Sequence, residues 1–255
     1  MIDKQLMQKR FSERAKTYDQ FANVQKKMAH ELIARIARPP KTILEIGCGT
    51  GYLTQLLHNA YPHAKLTAVD IAPGMIQVAK QRLGDAPITW LCADVEEAPI
   101  DERYDVIISN ATFQWFVQPK RTIAKFVNQR NDGGQLLFST FGNRTFYELH
   151  TSFAYALASE HIDEPLRIGP SFPTFADWLH MHPYARGHER MEVEYFPSVR
   201  DFFLSLRHIG ATNSTTGRYC QRPSVFKAMM KQYERQFSED GFIRATYHCI
   251  WIDIT

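Results

Sequence analysis

A chain of 255 residues with 44% hydrophobic content can bury one substantial core, or one core with a small cap, but not two full-sized domains. A net charge of +3 is too small to argue for nucleic-acid binding, and no apolar run approaches membrane-spanning length. The four cysteines, at 48, 92, 220 and 249, form neither a Cys-x-x-Cys pair nor the dense framework of small secreted domains, and the first ten residues carry charge where a signal peptide needs an apolar core. These features point to an unprocessed cytoplasmic protein with reduced thiols and no membrane partner.

Residues Phe11 to Arg38 are expected to be helical. Val24, Met28, Leu32, Ile33 and Ile36 recur at the spacing that lines one helix face, and Pro39 and Pro40 end the run. A sheet does not require such a helix, so residues 1–40 are expected to cap the mouth of a ligand site.

Thr42-Ile-Leu-Glu-Ile-Gly-Cys-Gly-Thr-Gly51 follows, a short apolar run that stops at an acid and passes through three glycines into a helix-compatible segment. It reads as the first strand of an α/β fold, the ligand loop behind it and the start of the first sheet-flanking helix. Glycines at 47, 49 and 51 allow a sharp turn and leave no side chain between backbone and ligand, with free amides expected to point into the site. Dinucleotide enzymes favour Gly-x-Gly-x-x-Gly, whereas here the third glycine comes after a single residue and Glu45 precedes the first.

Leu66-Thr-Ala-Val-Asp70 is the second strand. Ligands of open parallel sheets lie beyond the carboxyl ends of the strands, where an acid such as Asp70 can accept both hydroxyls of a ribose. Ile88 to Cys92 and Tyr104 to Ser109 are the third and fourth strands, and Asn110-Ala-Thr-Phe-Gln-Trp-Phe116 begins where a substrate could enter. Of those aromatics, Trp115 is expected to form a pocket wall. A helix over Thr122 to Arg130 and a turn at Asn131-Asp-Gly-Gly134 precede a fifth strand, Gly134 to Thr140. The alternation then loosens through a proline-bearing stretch, read as a substrate cap inserted over residues 143–188 rather than a second domain. Arg190 to Phe196 and Ala245 to Ile254 alternate like edge strands around a helix over Val199 to Ile209. The expected fold is a doubly wound, mostly parallel sheet of seven strands in one domain spanning 1–255.

His180, His182 and His188 lack an acid or cysteine at ligand-like spacing, so no metal is expected. A Gly-x-Ser-x-Gly elbow is also missing, which argues against acyl hydrolysis.

Glu45-Ile-Gly-Cys-Gly-Thr-Gly51 resembles the first motif of the class I S-adenosylmethionine-dependent methyltransferases. The resemblance implies a Rossmann-like fold and S-adenosylmethionine as cofactor, its amino-acid end held by Glu45 and the loop of Gly47, Cys48, Gly49 and Gly51. Cys48 is read as a small packing residue and not a nucleophile. It further implies that Asp70 takes the ribose, that Ile71 and Met75 pack on the adenine, that Asp94 bonds its amino group beside Val95, and that Asn110 faces the methyl region. Phe11-Ser-Glu-Arg-Ala-Lys-Thr-Tyr-Asp19 is similar to a stretch in which the tyrosine approaches cofactor and substrate, which places Tyr18 in the site. No Asn-Pro-Pro-Tyr-like motif supports methylation of nucleic-acid bases.

A finer resemblance runs through Arg10 to Asp19, Ser109 to Trp115, Leu137-Phe-Ser-Thr-Phe-Gly142 with Glu148-Leu149, and Leu206 to Asn213. Together these look like the malonyl-[acyl-carrier protein] O-methyltransferases of biotin synthesis, although Asn143 and Arg144 fall where that family often has small residues. The implied reaction methylates the free carboxylate of a malonyl thioester on acyl carrier protein. Arg144, after the fifth strand, is the first candidate anchor for that carboxylate, with Lys120 or Arg121 as substitutes, and Arg167, Arg186 and Arg190 are candidates for docking the acidic carrier. The alternatives are another small acceptor, such as a polycarboxylic acid or quinone precursor, or a cofactor-binding protein without chemistry.

Overall fold

Acid-ended apolar runs fold into a twisted sheet in the computed structural model, which describes residues 2–209, 219–220 and 222–255. Strands β1 (Thr42–Ile46), β2 (Lys65–Asp70), β3 (Ile88–Cys92), β4 (Tyr104–Asn110), β5 (Arg130–Phe141), β6 (Arg186–Phe196) and β8 (Phe242–Ile254) run in the order β3-β2-β1-β4-β5-β8-β6, and the two-residue β7 (Ser238–Glu239) pairs with β8. β1 to β5 are parallel, whereas β8 is antiparallel to both β5 and β6. The strand order reverses between β1 and β4, and a crevice opens there at the carboxyl ends. The expected mostly parallel, seven-stranded path is present, extended by β7.

The N-terminal helix differs from expectation. It starts at Lys4 and is two helices, α1 (Lys4–Phe21) and α2 (Asn23–Ile33), broken at Ala22 with φ −93° and ψ 42°. Asp3 caps α1 by accepting the Leu6 amide at 2.9 Å. The break separates two packing tasks. Val24, Met28, Ala29 and Leu32 of α2 are wholly buried in the main core. α1 buries only Met7 and Ala15 and instead crosses α4 (Pro73–Leu83), whose Gly74 allows the approach. A Cβ at Gly74 would stand 2.5 Å from the Ser12 carbonyl oxygen.

Around the sheet lie α3 (Tyr52–Ala60), α4, α5 (Pro119–Asn128), α6 (Tyr147–Ser159), α7 (Phe175–His180), α8 (Val199–His208) and α9 (Pro223–Phe237). The stretch Asn131 to Gly134 is no separate turn: β5 begins at Arg130, and the register with β4 shifts between Tyr104 and Val106. The sequence reading passed over α9, although Val225, Met229, Tyr233 and Phe237 mark it by four-residue spacing, and all four are buried. Of the matched stretch Leu206 to Asn213, residues 210–213 lie outside the described residues.

Candidate active site

A cleft enclosing about 1130 Å³, open mouth included, lies over the ends of β1, β2 and β4. Its floor is the glycine loop. Gly47, Gly49 and Gly51 all take left-handed φ, at 68°, 53° and 80°. At Gly47 the need is also steric, because a Cβ there would overlap the Thr112 side chain.

The loop amides do not point freely into the site. Gly47 and Cys48 both donate to the Val69 carbonyl, at 2.7 and 3.0 Å, and Gly49 donates to Asp70 Oδ2 at 2.8 Å. The loop is thus held by β2 in a shape that brings bare backbone to the cleft. Asp70 also accepts the Ala72 amide on Oδ1 at 2.8 Å. Burial raises its carboxyl to about 6, against the pull of these two amides. Each oxygen keeps a further lone pair for a ligand hydroxyl.

Ile71, Met75, Ala93, Asp94 and Val95 line the same end of the cleft. Asp94 faces it while bonded to Lys4 at 2.5 Å, and Lys4 reaches Glu96 at 2.7 Å. α1 supplies Lys4, Met7, Phe11 and Tyr18 to the lining, so the cap expected from residues 1–40 is a wall of the site. Gln8 fastens it by donating to the Ile71 carbonyl at 2.8 Å. The Tyr18 phenol is pushed well above its usual range by burial and by the charges of Asp19 and Asp70, which holds it protonated.

Glu45 lies in a smaller adjoining chamber of about 390 Å³ that shares Tyr18, Gln25, Gly47, Gly49 and Asn110 with the main cleft. Its side chain is buried, and Oε2 has no hydrogen-bond partner. Burial pushes Glu45 up to about 8 against the opposing pull of Thr54, with the Asp70 charge adding to the rise. A buried carboxylate oxygen without a donor is a costly feature that a ligand cation would relieve. The two chambers therefore suit a ligand with a nucleoside at the Asp70 end and an ammonium at the Glu45 end.

The opposite wall is apolar: Trp115, Phe116, Phe141, Phe146, Phe172 and Tyr247. Trp115 meets Phe11 edge to face at 5.5 Å, so the chain after β4 closes on the cap. Phe113 belongs to the core, stacked on Phe138 at 4.0 Å. Phe146 enters the cleft from a left-handed backbone, φ 58°.

A malonyl-[acyl-carrier protein] O-methyltransferase of Anoxybacillus flavithermus is 81% identical over 255 residues, covering 100% of this chain and 98% of that protein. The chain belongs to the malonyl-[acyl-carrier protein] O-methyltransferase family. A relative so named from Priestia megaterium is 44% identical over 270 residues, covering 100% and 98%. Residues 43–134 match a family profile described as "Methyltransferase domain". In fold the chain is similar to the YcgJ protein of Bacillus subtilis, with TM-score 0.56 at 15% identity, covering 88% of this chain and 97% of the other.

Within this O-methyltransferase the cleft brings together Tyr18, Gly47, Gly49, Asp70, Ile71, Met75, Asp94, Val95, Asn110 and Trp115, while Glu45 and Cys48 line the inner chamber. Gly51 stands behind the loop as the N-cap of α3. Arg144 is not among the lining. Its side chain is 52% exposed and pairs with Glu189 at 2.8 Å, on the far side of a turn whose next two residues, Thr145 and Phe146, do face the cleft. Lys120 is exposed on the first turn of α5 and does not line the cleft either. Arg121 is likewise exposed. Arg190 is held by Glu31 and Glu192, at 2.8 and 2.7 Å. Lys4 is the sole cation among the described lining of the main cleft, which also carries Asp70 and Asp94.

Sequence reasoning missed Lys4, Gln25, Thr145 and Tyr247. Only Gln25 left a signal, as a polar residue at positions i, i+3 and i+7 with Met28 and Leu32 on the buried stripe. Among the described residues no group of three or more His, Cys, Asp or Glu side chains could hold a metal ion. His188 instead stacks on Trp251 at 4.6 Å and pairs with Glu31. No described helix is long and apolar enough to cross a membrane.

Proposed function

We propose that this chain transfers the methyl group of S-adenosylmethionine to the free carboxylate of a malonyl group on acyl carrier protein, giving the methyl ester that enters biotin synthesis. The observation that carries this reading is the pairing of Asp70 and the partnerless Glu45 oxygen at opposite ends of one glycine-floored site. Bound there, the cofactor supplies an electrophilic methyl on a positively charged sulfur. Glu45 holds its ammonium, Asp70 its ribose hydroxyls, and Ile71, Met75, Asp94 and Val95 its adenine.

The acceptor chemistry asks little of a base, because a carboxylate with a reference acidity near ~4 is already ionised at neutral pH. The residues of the wall align the acceptor and exclude water. Tyr18 keeps its proton and so orients as a donor without abstracting anything. The aromatic wall from Trp115 to Phe172 suits the thioester arm, leaving its carrier outside, and all four cysteines are free, which fits a cytoplasmic protein. We place the whole chain in one domain, with residues 1–40 and 143–188 as its caps.

The test is an acceptor panel with labelled S-adenosylmethionine: malonyl-carrier protein, malonyl-coenzyme A, free malonate, aconitate and a quinone precursor. Methyl ester on the malonyl thioester is expected. Transfer to another panel member but not to that thioester would overturn the substrate, and no transfer at all would overturn the chemistry.

A further inference from the structure

Gln25, on α2, is 8% exposed and lines both the main cleft and the inner chamber, so it stands at their junction. Its backbone carbonyl accepts Asn110 Nδ2 at 3.0 Å, which fixes it against the end of β4. Among the described residues its carboxamide has no partner in the protein. Its polar atoms are also not sealed from the cavity. A nearly buried carboxamide with two donors and an acceptor open only to a ligand site is otherwise a costly choice on a face shared with Met28 and Leu32.

Tyr18, which lines both chambers, also keeps its hydroxyl without a protein partner among the described residues, and the other side-chain donors of the wall are occupied. Gln114 donates to the Ala111 carbonyl at 2.6 Å and accepts from Thr140 at 2.9 Å. Asn110 accepts from Ser139 at 2.6 Å while donating to Gln25. Thr145 accepts the His248 amide at 3.1 Å. Lys4 is tied to Asp94 and Glu96. Arginine is absent from the described lining.

We propose that Gln25 is the residue that recognises the acceptor's carboxylate: its amide donates one hydrogen bond to the oxygen that is not methylated. This rests on the malonyl reading above. In the transfer the other oxygen forms a bond to the methyl carbon, the carbon–sulfur bond breaks with its electron pair going to sulfur, and no proton moves. A neutral donor suits that step. A bidentate guanidinium would engage both oxygens and hold the charge that must attack, whereas a single amide orients the group and leaves the nucleophilic oxygen bare. It also accounts for a cleft that accepts an anion without an arginine in its wall.

Gln25→Met keeps the length and removes the donors, and Gln25→Glu adds a like charge. The measurements are the specificity constant for malonyl-carrier protein, the affinity for S-adenosylmethionine by calorimetry, and inhibition by acetyl-carrier protein, which lacks the carboxylate. We expect Gln25→Met to lose about 10- to 100-fold in the specificity constant and Gln25→Glu to lose more. In Gln25→Met, cofactor affinity, acetyl-carrier inhibition and melting temperature should each stay near wild type, within about twofold for the binding constants, since the carboxamide has no protein partner among the described residues. A specificity constant unchanged in both variants overturns the role of Gln25 alone. So does a loss of cofactor affinity as large as the loss of turnover, which would assign Gln25 to the methionine end. Wild-type protein that methylates another acceptor but not malonyl-carrier protein overturns the malonyl reading and this inference with it.

Discussion

Gly49 donates its amide to Asp70 Oδ2 at 2.8 Å, so the loop after β1 and the acid that closes β2 are one hydrogen-bonded unit. The ligand-facing acid is therefore also a structural part of the loop. Asp70→Ala cannot be a pure binding mutation, and Asp70→Asn must turn a donor toward either Gly49 or Ala72.

Both variants should weaken S-adenosylmethionine by about 10- to 100-fold and lower the melting temperature, since hydrogen bonds to a charged acceptor contribute about 1.5–3 kcal/mol each. Calorimetric titration and thermal unfolding read the two effects. Unchanged affinity in either folded variant would remove Asp70 from the cofactor site.

Glu45 gives a pH signature. Burial raises its carboxyl from 4.5 to about 8, so between those values the folded, ligand-free protein binds more protons than the unfolded chain. Its contribution to stability is favourable below about 4.5 and is lost as pH rises toward 8. Asp70 acts in the same direction between 3.8 and about 6. An ammonium beside Glu45 favours the ionised form. Binding of S-adenosylhomocysteine at pH 7 should thus release close to one proton, and affinity should rise by up to about tenfold per pH unit from 6 to 7. Calorimetry in buffers of different ionisation heat measures the release, and none would mean that Glu45 does not meet the ammonium.

The cap can be displaced without touching its lining residues. Gly74→Ala puts a methyl 2.5 Å from the Ser12 carbonyl oxygen, and backbone on both sides must shift. Because Met7, Phe11 and Tyr18 ride on α1, both cofactor and acceptor binding should weaken by about tenfold, while the sheet stays folded. Kinetics together with limited proteolysis of α1 decide this, and full activity would leave α1 as an appendage.

Arg144 should be silent toward the acceptor. Its ion pair with Glu189 is half-exposed and worth about 0–1 kcal/mol, and it lies off the cleft. Arg144→Ala is expected to keep the acceptor specificity constant within about twofold. A larger fall would return a carboxylate-anchoring role to this arginine.

The strands were legible in the sequence because a parallel strand buried on both faces is a short apolar run. Thr42 to Ile46 and Leu66 to Asp70 carry that pattern whatever surrounds them, and the glycines at 47, 49 and 51 take the left-handed angles that other residues resist. Periodicity likewise revealed the buried face of α2, because one core covers it. The break at Ala22 was invisible, since nothing local forbids one long helix and only the crossing of α1 over Gly74 requires two.

Apart from Trp115, the wall opposite the glycine loop was decided by tertiary structure. Phe141, Thr145, Phe172 and Tyr247 come from separate elements, and no spacing rule relates side chains that meet only when β8 lies between β5 and β6. Position after β5 favoured Arg144, yet a turn of one residue settles which side chain faces the cleft: Arg144 goes outward to Glu189, and Thr145 goes inward. Amino-acid order determined the glycine loop because its constraint is local backbone geometry. The packing of distant elements determined what can stand opposite it, because burial and charge pairing are properties of neighbours that the chain meets only on folding.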